Sequence, residues 1–150
     1  MDLHPTLALL APVPLRHLQS GEAVCHKKGR VAFGSRAWEL FRKLDAERGG
    51  MAVEVLFYAS HADIRDSSAS WRARYVRHVE GINGVHPDGR RYRPSSALDD
   101  TEGHWAVFWE VEDLQLLKEP IPIAELRSWS TGEPYGPGFV PEGPALIERS

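Results

Sequence analysis

The chain is organised around one segment, Trp105-Ala106-Val107-Phe108-Trp109-Glu110-Val111-Glu112. Its odd positions are Trp, Val, Trp and Val, whereas its even positions pass from Ala and Phe to two glutamates. Because successive side chains point to opposite faces of a strand, this pattern predicts a half-buried β-strand. Each tryptophan ring can bury roughly 200 Å2. We therefore expect the two rings to hold the centre of the core.

The composition bounds the class of protein. The chain has 150 residues, of which 42% are hydrophobic and 26% are charged, and one domain of this size can bury a sizeable core. Thirteen glycines and eleven prolines are spread along it, which favours many short elements joined by turns over a helical bundle. We expect a single α+β domain over residues 1–150.

Cysteine usage and hydropathy indicate the compartment. Cys25 is the only cysteine, which rules out an internal disulfide and a cysteine-rich zinc site. No apolar run reaches the roughly 18 residues that a membrane span needs, and residues 3–15 lack the features of a signal peptide. We expect a cytoplasmic protein with no membrane partner. Because catalytic motifs and closely spaced histidine pairs are missing from the sequence, we expect no metal and no cofactor.

The N-terminal third shows three kinds of pattern. Proline-interrupted leucines over residues 1–22 predict an extended N-terminal arm or edge strand, and residues 23–31 read as a strand and turn. Residues 36–44 predict an amphipathic helix, with Ser35 as its N-cap and Gly49-Gly50 as its stop. The side chains expected to face the core from this helix are Trp38, Phe41 and Leu44, with Leu40 beside them.

The remaining segments continue the α+β pattern. Residues 53–60 and 71–80 predict two strands, each rich in β-branched or aromatic side chains. Residues 81–103 have no periodicity, which is typical of a binding loop. Residues 122–129 predict a short helix, and residues 130–150 form a Gly/Pro-rich C-terminal extension.

Charge is distributed unevenly along the chain. Residues 65–93 contain seven arginines and three acids, whereas residues 94–150 contain three bases and eleven acids. Fourteen of the eighteen basic residues are arginine, whose planar guanidinium suits phosphates and base edges. The middle of the chain therefore predicts an anionic ligand.

Aromatic rings alternate with arginines on the predicted strands. Tyr58, Trp71 and Trp109 could form a pocket that stacks one unpaired nucleobase while arginines hold neighbouring phosphates. The arginines expected to bind phosphate are Arg72, Arg74, Arg77, Arg90 and Arg91. The simpler interpretation, in which the rings are core and the arginines are a solvated face, stays open at this point.

The order of three short motifs resembles a known family. These motifs are Phe57-Tyr58-Ala59-Ser60, His86-Pro87-Asp88, and Pro120-Ile121-Pro122-Ile123-Ala124-Glu125-Leu126 after the tryptophan-containing strand. In this order they resemble the EVE domain of the PUA-like superfamily, over residues 31–129. The resemblance implies a small mixed β pseudo-barrel flanked by short helices, and a role in binding RNA or DNA through a pocket for a modified base. It also implies that Arg36, Tyr58 and Ser60 lie at that pocket, to which the pattern of aromatic residues adds Trp71 and Trp109.

Two other functions remain as alternatives. One is an ASCH-like hydrolase of a modified nucleoside, which would need Lys28, Glu54 or Glu110 as a general base in the pocket. The other is an interaction module that uses the acidic region 133–148 to dock a basic partner protein or a second copy in a homodimer.

Overall fold

The protein, in a computed structural model, is described over residues 2–99 and 104–149. The described elements, in chain order, are the strand β1 (Leu3–Pro14), the helix α1 (Leu15–Lys28), β2 (Val31–Ser35), α2 (Trp38–Arg48), β3 (Ala52–Ser60), β4 (Ser68–Glu80), β5 (Val107–Pro122) and β6 (Ala145–Glu148), with 3-10 helices at Ser95–Asp99 and Ile123–Glu125. The predicted α+β class is confirmed.

The six strands form one mixed sheet in the order β2-β5-β4-β3-β1-β6. β1 runs parallel to β3, and the other neighbouring strands are antiparallel. The parallel pair is connected through α1, β2 and α2, as a parallel connection requires a long crossover. Among the described residues no ladder joins β2 to β6, so the sheet is not closed into the barrel that the resemblance implied.

Trp109 lies at the centre of the core, as the sequence predicts. It is 3% exposed, and its ring contacts three others, with centroid distances of 5.4 Å to Phe33, 5.3 Å to Phe41 and 5.6 Å to Phe57. These rings come from β2, α2 and β3. Burial of the Trp109 ring therefore joins these three elements in one core.

The other face of β5 differs from the prediction. The pattern of even positions predicts a face that turns increasingly toward water, yet Phe108 and Glu110 are both fully buried. The reason is that the chain between β4 and β5 folds over this face, where Tyr92 packs against Phe108 and His86 binds Glu110. The aperiodic residues 81–97 therefore complete a second core.

The N-terminal prediction was wrong in two respects. β1 is an internal strand, between β3 and β6, and residues 15–28 form α1 rather than an extended arm and a strand. α1 places Leu18, Gly21 and Cys25 toward the core. The sequence did not indicate this helix because Gly21, a poor helix former, lies within its buried face.

The predicted helix at 36–44 exists with a shifted start. α2 begins at Trp38, and Ser35 Oγ accepts a hydrogen bond from the Ala37 amide at 3.0 Å without capping the helix itself. Phe41 and Leu44 are buried as predicted, and Gly49 ends the helix with φ 58°. Trp38, predicted to face the core, is 48% exposed.

The C-terminal region is part of the sheet. β6 pairs with β1, and the Tyr58 hydroxyl donates a hydrogen bond to the carbonyl of Pro141. The helix predicted at 122–129 is reduced to the three-residue 3-10 turn Ile123–Glu125, because the flanking residues pair as strand or bridge. Neither described α-helix has the length and apolar character needed to cross a membrane.

Candidate functional site

A cleft of about 580 Å3 opens between the C-terminal ends of β1 and β2. β2 is the first strand of the sheet order and β1 the fifth, so the sheet curls until these two strands face each other across a gap. The residues that line the cleft are Ala11, Pro12, Val13, Pro14, Arg16, His17, Phe33, Gly34, Ser35, Arg36, Arg93, Trp105, Trp109 and Pro144.

Three aromatic side chains line the cleft, and two of them, Phe33 and Trp109, are almost fully buried. Phe33 and Trp109 reach it from the core, while Trp105 precedes β5 and packs beside the second core. Trp105 lies directly against Gly34, where an added Cβ would sit only 2.5–2.6 Å from the indole ring. The sequence therefore needs glycine at position 34 for the Trp105 ring to lie where it does.

Main-chain groups of β2 also face the cleft. The Ala32 amide donates to the Tyr92 carbonyl at 2.7 Å, and the Ala32 carbonyl accepts from Arg93 Nη1 at 2.6 Å. Both groups thus point away from β5. Since these directions alternate along an antiparallel strand, the N–H and C=O of Gly34 share this edge and are directed toward the cleft.

Four basic side chains surround the aromatic surface, and no Asp or Glu belongs to the described lining. The Arg36 guanidinium lies 5.9 Å from the centroid of the Trp105 ring. Arg93 is 4% exposed and lies 5.1 Å from the Phe108 centroid. Arg16 and His17, like Arg93, are also held by further interactions inside the molecule. Arg36 forms no ion pair with a described carboxylate and is exposed.

α1 adds a favourable dipole to the same end of the cleft. Its first turn contains Arg16 and His17 but no acidic residue, and its N-cap residue, Pro14, has no side-chain hydrogen bond to a described helix amide. Helix N-termini carry partial positive charge. The aromatic cleft is therefore flanked by positive potential, which suits a planar ligand joined to an anionic group.

One polar atom of the cleft wall has no partner. The buried indole Nε1 of Trp105 forms no hydrogen bond, unlike the other buried side-chain nitrogens and oxygens of the described residues. A buried unsatisfied donor costs about 1–3 kcal/mol. A ligand that shifts the ring and accepts from this N–H would recover that energy.

The structure brings together only part of the predicted pocket. Arg36 and Trp109 line the cleft, whereas Tyr58, Ser60 and Trp71 do not. Tyr58 is fully buried in the cluster on the other side of the sheet, and Trp71 packs in the main core. Ser60 ends β3 beside two shallow depressions.

The predicted phosphate-binding arginines of β4 face acidic neighbours. Arg74 is paired in register with Glu54 on β3 and with Glu112 on β5. Arg72 lies 3.5 Å from Glu54, and Arg77 binds Glu110 at 3.0 Å. The cross-strand acids thus compensate most of the charge that the sequence assigned to this surface.

Arg90 and Arg91 are exposed in the turn that leads to Arg93. The Arg91 guanidinium lies 5.2 Å from the Tyr92 centroid, and Lys28 Nζ donates to the Arg91 carbonyl at 2.7 Å. These two arginines are therefore within three residues of the cleft along the chain.

Glu110 is the centre of a buried polar cluster outside the cleft. Its carboxylate accepts hydrogen bonds from Arg30 at 2.9 Å, from Arg77 at 3.0 and 3.2 Å, and from His86 Nε2 at 2.9 Å. Burial alone would raise the pKa of Glu110, but these hydrogen bonds outweigh it and hold the pKa below its usual value. His86 Nδ1 accepts the Asp88 amide at 2.9 Å, which assigns the proton to Nε2.

The candidate general bases lie away from the cleft lining. Glu110 is committed to the polar cluster, Glu54 pairs with Arg72 at 3.5 Å, and Lys28 binds the Arg91 carbonyl. The hydrolase alternative therefore has none of its three candidate residues at the cleft and stays a prediction.

Several cleft residues escaped sequence reasoning. Trp105 was assigned to the same face as Trp109, but the regular strand starts only at Val107. Arg16 and His17 were hidden because α1 was missed. The helix could have been found from its C-terminal signals, since Lys27, Lys28 and Gly29 form a basic last turn followed by a left-handed glycine.

No protein-family model, curated protein or solved structure matches this chain. The resemblance to the EVE domain therefore remains a prediction drawn from the motifs.

Proposed function

We propose that this chain is a nucleic-acid-binding module that holds one unstacked nucleobase in the cleft between β1 and β2. The observation that carries the proposal is the joining of aromatic side chains and basic side chains around one opening, without an acidic residue in the described lining. Aromatic rings stack bases, and guanidinium groups bind the adjacent phosphates.

The main-chain edge of Gly34, which forms no hydrogen bond with another described residue on the side away from β5, supports the same proposal. Its N–H and C=O offer one donor and one acceptor side by side, as expected from the alternation set at Ala32. The pairing edge of a nucleobase carries a matching donor and acceptor, and proteins read unstacked bases on that edge. On the opposite wall, Pro12 and Pro14 have no amide N–H. At these two positions the β1 wall therefore offers carbonyl acceptors, and no amide donors, to the pairing edge of the base.

We further propose that the curled sheet is an open relative of the PUA-like pseudo-barrel, with the cleft as its seam. In this proposal the gap between β1 and β2 lies where a barrel would close. β6 pairs only with residues 7–10 of β1, and Pro12 and Pro14 keep the remaining edge of β1 from pairing with β2. A modified base is the ligand that the resemblance implies.

The proposal is tested by comparing Arg36→Ala with Arg72→Ala. Both arginines are exposed, and each variant removes one positive charge. Of the two, only Arg36 lines the cleft. We expect Arg36→Ala to weaken binding of single-stranded RNA or DNA about tenfold, the usual effect of losing a charge-assisted contact. Arg72→Ala should change it less than about twofold. Equal effects of the two variants, or no binding by the unmodified protein, would reject the proposal.

A further inference from the structure

The first turn of α2 carries an exposed aromatic side chain next to the cleft. Trp38 is 48% exposed, although tryptophan is among the side chains that gain most from burial. Together with Glu39, Arg42, Lys43 and Ala46 it lines a shallow depression of about 300 Å3. An exposed ring of this kind, set among basic side chains, is a feature of surfaces that stack bases.

The depression is continuous with the cleft along the chain. Arg36 lines the cleft, and Trp38 follows two residues later. Since consecutive Cα atoms are about 3.8 Å apart, the two Cα atoms are at most about 7.6 Å apart. This is a short enough step for one strand of nucleic acid to contact both places.

The charges around Trp38 favour an anionic occupant. Arg42 and Lys43 are both exposed, and neither forms an ion pair with a carboxylate of the described residues. Arg36 extends the same basic character to the cleft. Glu39 is the acid in the described lining of the depression, and its single charge is outnumbered by the two bases there, Arg42 and Lys43.

We infer that the ligand is a single strand, and that the nucleotide next to the one in the cleft stacks on Trp38 with its phosphate near Arg42 and Lys43. This inference rests on the proposed function of the cleft. A second copy of this chain is a poorer occupant, because one half-exposed ring contributes little toward the roughly 800 Å2 per partner that a stable interface buries.

The test compares a mononucleotide with a longer ligand. Uridine 5′-monophosphate and single-stranded uridine tetranucleotide, with the adenosine, cytidine and guanosine equivalents, are titrated into the protein, and binding is followed by NMR chemical-shift changes up to millimolar concentration. We expect the best tetranucleotide to bind about tenfold more tightly than its mononucleotide. Trp38→Ala should remove this advantage and leave mononucleotide affinity unchanged.

Phe139→Ala is the matched control, because Phe139 is a second exposed aromatic residue, at 50% exposure, and lies outside both the cleft and the depression. It should leave both affinities unchanged. An Arg42→Ala/Lys43→Ala variant should weaken only the tetranucleotide.

The possible results separate the two proposals. If both ligands bind through Arg36 and Trp38→Ala leaves the tetranucleotide advantage intact, the stacking inference is wrong while the cleft function stands. If neither ligand binds, or if Arg36→Ala leaves the affinity unchanged, both the cleft function and the stacking inference are wrong. If Trp38→Ala instead converts a dimer to a monomer in sedimentation, the surface serves a second copy and the inference is overturned.

Discussion

Gly34 sets the width of the cleft. Its missing side chain lets the Trp105 ring lie against β2, and its main chain occupies the free edge beside that ring. The position therefore needs glycine because of close contact, rather than because of an unusual backbone angle. Trp105 in turn carries the buried indole N–H that lacks a partner. A small change at this residue should alter the site without removing any charged or aromatic group.

We predict that Gly34→Ala displaces Trp105 and abolishes nucleotide binding. The added Cβ would lie 2.5 Å from the ring, and overpacking of this kind costs about 1–3 kcal/mol of folding free energy. The measurements are urea unfolding and oligonucleotide affinity. Gly143→Ala is the control, since a Cβ there has no heavy atom within 4 Å. Unchanged binding by Gly34→Ala would show that Trp105 does not shape the site.

At the scale of elements, the segment between β4 and β5 is joined to the sheet by buried hydrogen bonds. Glu110 on β5 binds His86 of this segment and also Arg30 and Arg77. The same segment continues to Arg93, whose guanidinium binds the Ala32 carbonyl at the edge of β2. The buried carboxylate therefore helps to hold one side of the cleft, although it lies outside the described cleft lining.

We predict that Glu110→Gln destabilises the protein by about 1–3 kcal/mol at neutral pH, because the amide replaces one accepting oxygen by a donor and leaves an N–H partner of this buried group unpaired. The folded-state pKa of Glu110 lies below its ordinary value of 4.5, so the carboxylate stabilises the fold fully above about pH 4.5. This stabilisation is lost as the pH falls through the lower, folded-state pKa. Urea unfolding at pH 7 and at stepwise lower pH measures the effect.

The gap in stability between the native protein and Glu110→Gln should thus stay constant near neutrality and shrink in acid. Glu119→Gln, on an exposed residue, should show no gap at any pH. A gap that widens on acidification would contradict the assignment of a charged Glu110.

Some elements could be predicted from local pattern, and others depend on partners distant in sequence. β3 and the core position of Trp109 follow from alternation and ring size. By contrast, α1 packs Gly21 against β2, where a Cβ at this position would lie 3.4 Å from the Phe33 ring. Phe108 and Glu110 are buried by a segment with no periodicity of its own. Neither fact is visible within a window of a few residues.

The same distinction applies to the site. Arg36 and Trp109 could be proposed as site residues because each lies at an element that the sequence predicts, Arg36 just before α2 and Trp109 in β5. Tyr58 and Trp71 are equally aromatic, but the curl of the sheet takes them into the packed interior. The arginines of β4 looked like a basic surface until the strand order placed Glu54, Glu110 and Glu112 opposite them. The number of arginines in the sequence therefore overestimated the net positive charge of this surface.

At the scale of the whole molecule, the proposed binding of nucleic acid would depend on local rather than total charge. The net charge is −3, which does not favour a polyanion. The basic cleft rim and the exposed Arg42 and Lys43 of α2 can offset this. We therefore expect the affinity to depend on salt through only a few phosphate contacts, with a slope of about −0.7 per neutralised phosphate for a single strand.

The most direct measurement is photochemical crosslinking of a single-stranded oligonucleotide that carries 4-thiouridine, followed by mass spectrometry of the peptides. A base held between β1 and β2 lies beside Phe33, Trp105 and Trp109, so the account predicts adducts within residues 33–36 and 105–109, with loss of adducts in Gly34→Ala. Adducts confined to the outer face of β4, at residues 72–77, or a failure to crosslink under conditions where the oligonucleotide is bound, would contradict it.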